Sequence, residues 1–245
     1  MSGYKKSIFI YDDEIGRVDY VNHMGDDLTV VNSARVSFGV QKHELSSRDI
    51  KLIRYLIKHK HTSTLEHCSI TFKFTVPLYV RSQHHRHRTW AYNEISRRYT
   101  DKDYQFYTPN SFRTQHKSNR QASNADELVN PSVGTGETYG LIPVAYPKAD
   151  QLYWEHCQKS LALYEQLINS GVCREQARGV LPQTTYTEYY GSCNLNNLLK
   201  FIGLRIHEGA QWEITQVAKA CLEIARDLYP RTVSAYEECI YGGKI

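Results

Sequence analysis

Residues 81–99 are chemically the richest stretch of the chain, reading Arg-Ser-Gln-His-His-Arg-His-Arg-Thr-Trp-Ala-Tyr-Asn-Glu-Ile-Ser-Arg-Arg-Tyr. The first eight of these residues hold three arginines, three histidines and no carboxylate, a concentrated patch for anions. Gln83, Arg86 and His87 lie three and four apart and share a face if the segment is helical. Glu94, Ser96 and Arg98 point the same way if that segment is extended, and they offer an acceptor, a hydroxyl and a cation. Such a set suits a nucleotide, because a carboxylate can fix a hydroxyl while guanidinium forks take phosphate or carbonyl oxygens in paired hydrogen bonds. The basic patch has three readings: a solvated charged face, a nucleic-acid contact, or a pocket for phosphate-bearing small molecules. The shared helical face and the half-buried strand just before it favour the pocket.

Two rival chemistries are weighed against that pocket. Arginine, histidine and tyrosine interleave through residues 81–107 and could contact phosphates and stack on bases, but no recognised nucleic-acid motif accompanies them. His59, His61, His67, His84, His85 and His87 could coordinate zinc, yet no His-Glu-x-x-His arrangement occurs and the flanking arginines repel a cation. Ser96 is a positioning group rather than a nucleophile, since its near neighbours in sequence are arginines and not a base.

The elements that must position these groups read as mixed structure. Short β-like runs at Ile8–Tyr11 and Val18–Val21 precede a turn at Gly25-Asp26-Asp27, where Asp27 is placed to cap a helix through Val30, Val31 and Ala34. Ser46 or Ser47 caps the next helix, whose Ile50, Ile53, Leu56 and Ile57 recur at helical spacing. Between Ser69 and Val76 the alternation is strict, with Ile70, Phe72, Phe74 and Val76 on one face of a strand. Pro77 suits the first turn of a short helix through Val80 and Gln83. Residues 108–147 lack a sustained period and are rich in Ser, Asn, Gln, Gly and Pro, which predicts a long surface loop. Trp154, Cys157, Leu161, Tyr164 and Ile168 then mark a helix that Gly171 ends. A helix over Arg174–Val180, a strand from Tyr186 to Tyr190, a helical run through Leu195, Leu198, Leu199 and Ile202, and a last long helix through Val217, Cys221, Ile224 and Leu228 follow. The total describes an α+β protein, an antiparallel β-sheet packed against several α-helices.

A chain of 245 residues with 41% hydrophobic content is read as a single globular domain, residues 1–245, with an insertion at about 108–147. No apolar run is long enough for a membrane span and no signal-peptide core follows the start, so a cytoplasmic protein without a membrane partner is expected. The six cysteines form no Cys-x-x-Cys pair and are read as buried, reduced thiols. A formal charge of +4 is modest for this length and says little about polyanion binding.

The spacing Arg86-His87-Arg88, seven residues, then Ser96 resembles the Arg-His-Arg-x7-Ser signature of flavin-dependent thymidylate synthases, and Asn93-Glu94 and Arg98-Tyr99 fill it out. Further blocks similar to that family occur in order: Ala34–Phe38, His59–His61 through Glu66-His67, Arg174–Pro182 and Leu204–Ile214. The resemblance implies the fold of thymidylate synthase-complementing proteins and a homotetramer with active sites at subunit interfaces. There, FAD, dUMP and 5,10-methylenetetrahydrofolate would meet, with NADPH as reductant, to give dTMP and tetrahydrofolate. It further implies that Ser37, Ser63, Glu66, Arg86, His87, Arg88, Thr89, Glu94, Asn194, Asn196 and Lys200 hold FAD, with no metal. Gln83, Arg86, Glu94, Ile95, Ser96, Arg97, Arg98, Arg178 and Arg205 correspond to the dUMP positions, and His61 and Tyr99 to the place where folate or nicotinamide stacks. The catalytic set so implied is Arg205, Ser96 and His61, with Arg205 polarising the uracil so that carbon 5 becomes the nucleophile.

The chain departs from the family pattern at four places. Asn196 stands where relatives often carry a flavin-contacting Arg, Lys200 where they carry Asn or His, Arg97 where Gly is common, and Gly209 where a His is frequent. Because positions 196 and 200 share a helix face, Lys200 is expected to replace the missing cation.

Overall fold

The computed structural model of the chain describes residues 4–100, 103–134 and 146–241. The strands are β1 (Ser7–Phe9), β2 (Arg17–Met24), β3 (Ser69–Pro77), β4 (Ala91–Glu94), β5 (Phe112–Gln115), β6 (Ser123–Val129) and β7 (Tyr186–Asn194). The helices are α1 (Asp27–Arg35), α2 (Ser47–Lys58), α3 (Leu78–His84), α4 (Ala149–Asn169), α5 (Arg174–Ala177), α6 (Leu195–Arg205), α7 (Trp212–Leu228) and α8 (Pro230–Tyr241). The α+β reading holds. By its contacts the chain divides into two compact units, one of Met1–Thr75, Ser82–Glu94 and Glu188–Ile245, the other of Val76–Arg81 and Ile95–Thr187.

A five-stranded sheet in the order β1-β2-β3-β7-β4 is the frame of the first unit, with β1 and β2, β2 and β3, and β4 and β7 antiparallel. The alternation read in β3 places Ile70, Phe72 and Phe74 in the core with at most 1% of their surface exposed. Helix α7 supplies a facing stripe of Ile214, Val217, Cys221 and Ile224, all fully buried, and it packs on α6 while α2 packs on α8. Each such aliphatic side chain taken fully from water contributes about 1.5–3 kcal/mol.

The helix starts expose one correction. Asp26, not Asp27, caps α1: its carboxylate accepts from Thr29 N at 2.8 Å in an extended backbone conformation. Asp27 is buried and turned to another helix, accepting from Arg231 N at 2.8 Å, from Thr232 N at 2.9 Å and from the Thr232 hydroxyl at 2.6 Å. It thus satisfies the orphan amides at the start of α8, a helix absent from the sequence reading, which opens with Pro230 at its first position. Ser46 caps α2, with Asp49 closing a capping box.

In the second unit, α3 begins directly after Pro77, and its first amides are taken by strand-like chain, Leu78 N donating to Thr185 O and Tyr79 N to Gln183 O. The stretch expected to be a featureless loop contains the β5–β6 hairpin. Its pairing is reinforced by polar side chains, Asn124 Nδ2 donating to Thr114 Oγ1 at 2.8 Å and to Glu127 Oε2 at 3.0 Å, so no apolar alternation announces it. Residues 135–145 of that stretch lie outside the described residues. Gly171, at φ +89°, ends α4 as read.

The cysteines are all unpaired; Cys68, Cys157, Cys193 and Cys221 are buried, but Cys173 is exposed and Cys239 half-buried. Cys173 precedes α5 at its N-terminal boundary, where its side chain faces solvent. Among the described residues no helix is long and apolar enough to cross a membrane.

Candidate active site

The basic patch rests on an aromatic bed. His84 ends α3, fully buried, with its ring 4.7 Å from Phe74, 4.6 Å from Trp90 and 4.6 Å from Phe201, and its Nδ1 is hydrogen-bonded to the Tyr189 hydroxyl at 2.8 Å. Burial above all, then the neighbouring His87, His85 and Arg205, hold its pKa well below the ordinary histidine value, so His84 is a neutral anchor. After it the chain leaves the helix as a turn, Arg86 N reaching Gln83 O at 3.4 Å and His87 N reaching His84 O at 2.9 Å. Gln83 and His87 are half-buried, while Arg86, Arg88 and Thr89 project into solvent.

Arg205, the last residue of α6, returns to this turn from far along the sequence. Its Nε donates to His87 Nε2 at 3.1 Å and its Nη2 to Gln83 O at 3.2 Å. A guanidinium only donates, so His87 Nε2 is the acceptor and the ring proton sits on Nδ1. Burial, followed by the positive Arg205, lowers the His87 pKa to about 4, which keeps the ring neutral and able to accept. Burial also lowers the Arg205 pKa. The Gln83 amide nitrogen donates to Gln211 Oε1, and Gln211 Nε2 donates to Glu213 Oε2 at 2.9 Å. Gln211 was not singled out in the sequence. It lies inside the family-like block Leu204–Ile214, directly before α7, and that position is the only signal that could have found it.

Arg86 and Arg88 have no ion-pair partner among the described residues, and the hydroxyls of Ser37, Ser63 and Thr89 are on exposed residues. Unpaired guanidinium groups and free hydroxyls are the donor set that a diphosphate requires, so the residues present fit an anionic dinucleotide such as FAD. Asn194 is engaged as the cap of α6, accepting from Asn197 N at 2.9 Å. Asn196 is buried and donates to Glu66 Oε1 at 2.9 Å, and Asn196 and Lys200 line one cavity of about 180 Å³ together with Lys60, Thr62 and Leu199. Glu94 closes β4, with Tyr189 as its cross-strand partner.

The second unit carries Ile95, Ser96, Arg97, Arg98, Tyr99 and Arg178. The segment does not stay extended past Glu94, so Ser96 and Arg98 do not continue the alternation begun in the strand. Instead Ser96 Oγ accepts from Arg98 N at 3.3 Å, and Tyr99 N and Thr100 N both donate to Ser96 O, a serine-directed turn. No base contacts Ser96 among the described residues. Arg97 is turned inward, 4.4 Å above the Tyr104 ring, with Nη2 donating to Tyr186 O at 3.4 Å. Arg98 and Tyr99 are exposed and bonded to each other at 3.2 Å, and Arg178 is exposed at the start of a short helical turn. Among the described residues, no three histidines, cysteines or carboxylates converge as metal ligands.

A sheet-framed α+β unit with unpaired arginines beside a half-buried arginine–histidine pair is an arrangement suited to phosphate-bearing ligands. The chain belongs to the thymidylate synthase complementing protein family, whose model matches residues 19–231. It is 38% identical over 228 residues to a flavin-dependent thymidylate synthase of Thermus thermophilus, covering 93% of this chain and 78% of the relative. It is 35% identical to that of Thermotoga neapolitana over 230 residues, 94% of each. Among solved structures, a UMP/dUMP methylase, PolB, from Streptomyces cacaoi bound with 5-Br UMP superposes with a TM-score of 0.73 at 30% identity, over 91% of this chain and 94% of that one.

Proposed function

We propose that the chain is a flavin-dependent thymidylate synthase that converts dUMP, 5,10-methylenetetrahydrofolate, NADPH and a proton into dTMP, tetrahydrofolate and NADP+. The observation that carries this reading is the Arg205–His87–Gln83 cluster, a fixed cation held by one neutral ring and one carbonyl. Arg205 stabilises negative charge on the uracil oxygens as carbon 5 attacks the one-carbon unit, a preorganised electrostatic role that needs no serine nucleophile. Neutral His87 is essential to that geometry, because a protonated ring would repel the guanidinium. Flavin held by these residues would, once reduced, supply the hydride that the methyl group requires.

Arg86, Arg88, Ser37, Ser63 and Thr89 hold the FAD diphosphate, with Glu66, Glu94, Asn194, Asn196 and Lys200 at its outer parts. Gln83, Ile95, Ser96, Arg97, Arg98 and Arg178 hold the nucleotide. His61 and Tyr99 present rings for folate or nicotinamide. The homotetramer is supported by the surroundings of Ser37, which lies between Val36 and Phe38, 71% and 82% exposed, apolar surface suited to cover by a second copy.

The test is tritium release from 5-tritiated dUMP, omitting FAD, NADPH or methylene folate in turn, with a parallel arm on UMP because the solved neighbour takes both. Release that requires all three components supports the reading. Release without flavin overturns it.

A further inference from the structure

The last turn of α2 and the turn after it carry three rings, Tyr55, His59 and His61, and Tyr55 touches both histidines. Its centroid lies 4.3 Å from that of His59 with 37° between the planes, and 5.8 Å from that of His61 with the planes 30° apart, a stacked arrangement. The backbone here is closely pinned: His59 N donates to Tyr55 O at 3.0 Å, Lys60 N to Ile57 O at 3.1 Å and His61 N to Leu56 O at 2.9 Å. Lys60 adopts φ +58°, a left-handed conformation that L side chains seldom take, and so brings His61 back over the end of α2. The His61 carbonyl in turn accepts from Thr64 Oγ1 at 3.1 Å.

The imidazole of His61, by contrast, has no hydrogen-bond partner among the described residues, and both it and Tyr55, 53% exposed, face solvent. A side chain whose main chain is fixed but whose nitrogens bind nothing takes its orientation from the ring packed against it. We propose that Tyr55 is the positioning residue for His61, backing one face of the imidazole so that the other face stands open to a flat heteroaromatic ring, the pterin of the folate or the nicotinamide. The proposal rests on the stacking role given above to His61 and adds what holds that ring in place. Without Tyr55 the imidazole is free among its rotamers, and a ligand must order it on binding.

The test compares Tyr55→Phe and Tyr55→Leu in the full chain loaded with FAD. The dissociation constant of tetrahydrofolate is read by fluorescence titration and that of NADP+ by its perturbation of the flavin spectrum, alongside kcat, KM for dUMP and the melting temperature. Tyr55→Leu is expected to weaken folate or nicotinamide about five- to tenfold, the loss of one ring contact, with kcat, dUMP KM and melting temperature as in the wild type. Whichever ligand weakens is the one that stacks on His61. Tyr55→Phe, which keeps the ring, is expected to match the wild type. The proposal is overturned if Tyr55→Leu changes neither affinity, if Tyr55→Phe is impaired as much as Tyr55→Leu, or if every ligand weakens together with the melting temperature. A wild-type chain that releases no tritium from dUMP defeats the proposed function instead, while the binding constants still report on Tyr55.

Discussion

Arg205 Nε donates to His87 Nε2 at 3.1 Å across 118 residues of sequence, so the end of α6 and the turn after α3 are locked into one electrostatic unit. The two donors used, Nε to His87 and Nη2 to the Gln83 carbonyl, project from one planar fork, which a lysine lacks. Arg205→Lys should therefore keep the charge and lose the fixed geometry. Steady-state kinetics should give kcat/KM for dUMP about a hundredfold below wild type, the usual scale for removing one preorganised donor. A variant within twofold of the wild type, on the order of experimental scatter, would show that charge alone suffices.

The same pair makes stability depend on pH. The folded His87 pKa is lowered to about 4 from the ordinary 6.5, so between these values the unfolded chain binds a proton that the folded one refuses. Stability from this group is present above pH 6.5 and is lost as pH falls toward 4. His84 contributes in the same direction, so the comparison that isolates His87 is His87→Gln, which accepts from Arg205 without titrating. Urea unfolding across this range should show a shallower acid decline in His87→Gln than in the wild type; parallel curves would disprove the assignment.

We propose that Lys200 replaces the cation missing at Asn196. The Asn196 amide is committed to Glu66, whereas Lys200 lines the same cavity and Lys60 lies on its rim, neither with an ion-pair partner among the described residues. Lys200→Ala should weaken FAD about fivefold at low salt, near the upper end for one exposed charge, and flatten the dependence of affinity on ionic strength. Asn196→Arg placed on Lys200→Ala should recover both. Flavin fluorescence titrations at several salt concentrations read the two quantities together, and an unchanged salt slope in Lys200→Ala would reject the replacement.

What the sequence disclosed follows from how far each signal reaches along the chain. The strand β3 was legible because alternation of Ile70, Phe72 and Phe74 is a local consequence of one buried face. The basic patch was legible because its charges are contiguous. Arg205 and His87 were each marked only through resemblance, as nucleotide and flavin positions, and nothing in the sequence announced the bond between them, since no periodicity connects positions in two elements so far apart. Gln211 and Tyr55 were missed for a related reason: one matters through a hydrogen-bond relay, the other through a ring it backs, and neither lies in a charged cluster. The β5–β6 hairpin was hidden because polar side chains, not an apolar face, bind its strands. Asp26 and Asp27 are interchangeable caps in sequence, and only the arrival of α8 decides between them.

Gly191 in β7 tests whether the aromatic bed positions the patch above it. A Cβ at this position would stand 2.8 Å from Phe74 Cε2 and 3.3 Å from Trp90 Cε3. Phe74 is fully buried and in contact with His84, so it has no free space into which to withdraw. Gly191→Ala must therefore shift Phe74 or part β7 from its pairing with Tyr92, and overpacking of this kind costs about 1–3 kcal/mol. Because His84 sits on the same rings one turn before His87, the strain should also reach the Arg205 pair. Urea unfolding should show the stability loss, and kcat/KM for dUMP should fall even where the variant is fully folded. Lost stability with undiminished kcat/KM would mean that the bed supports the fold without setting the site.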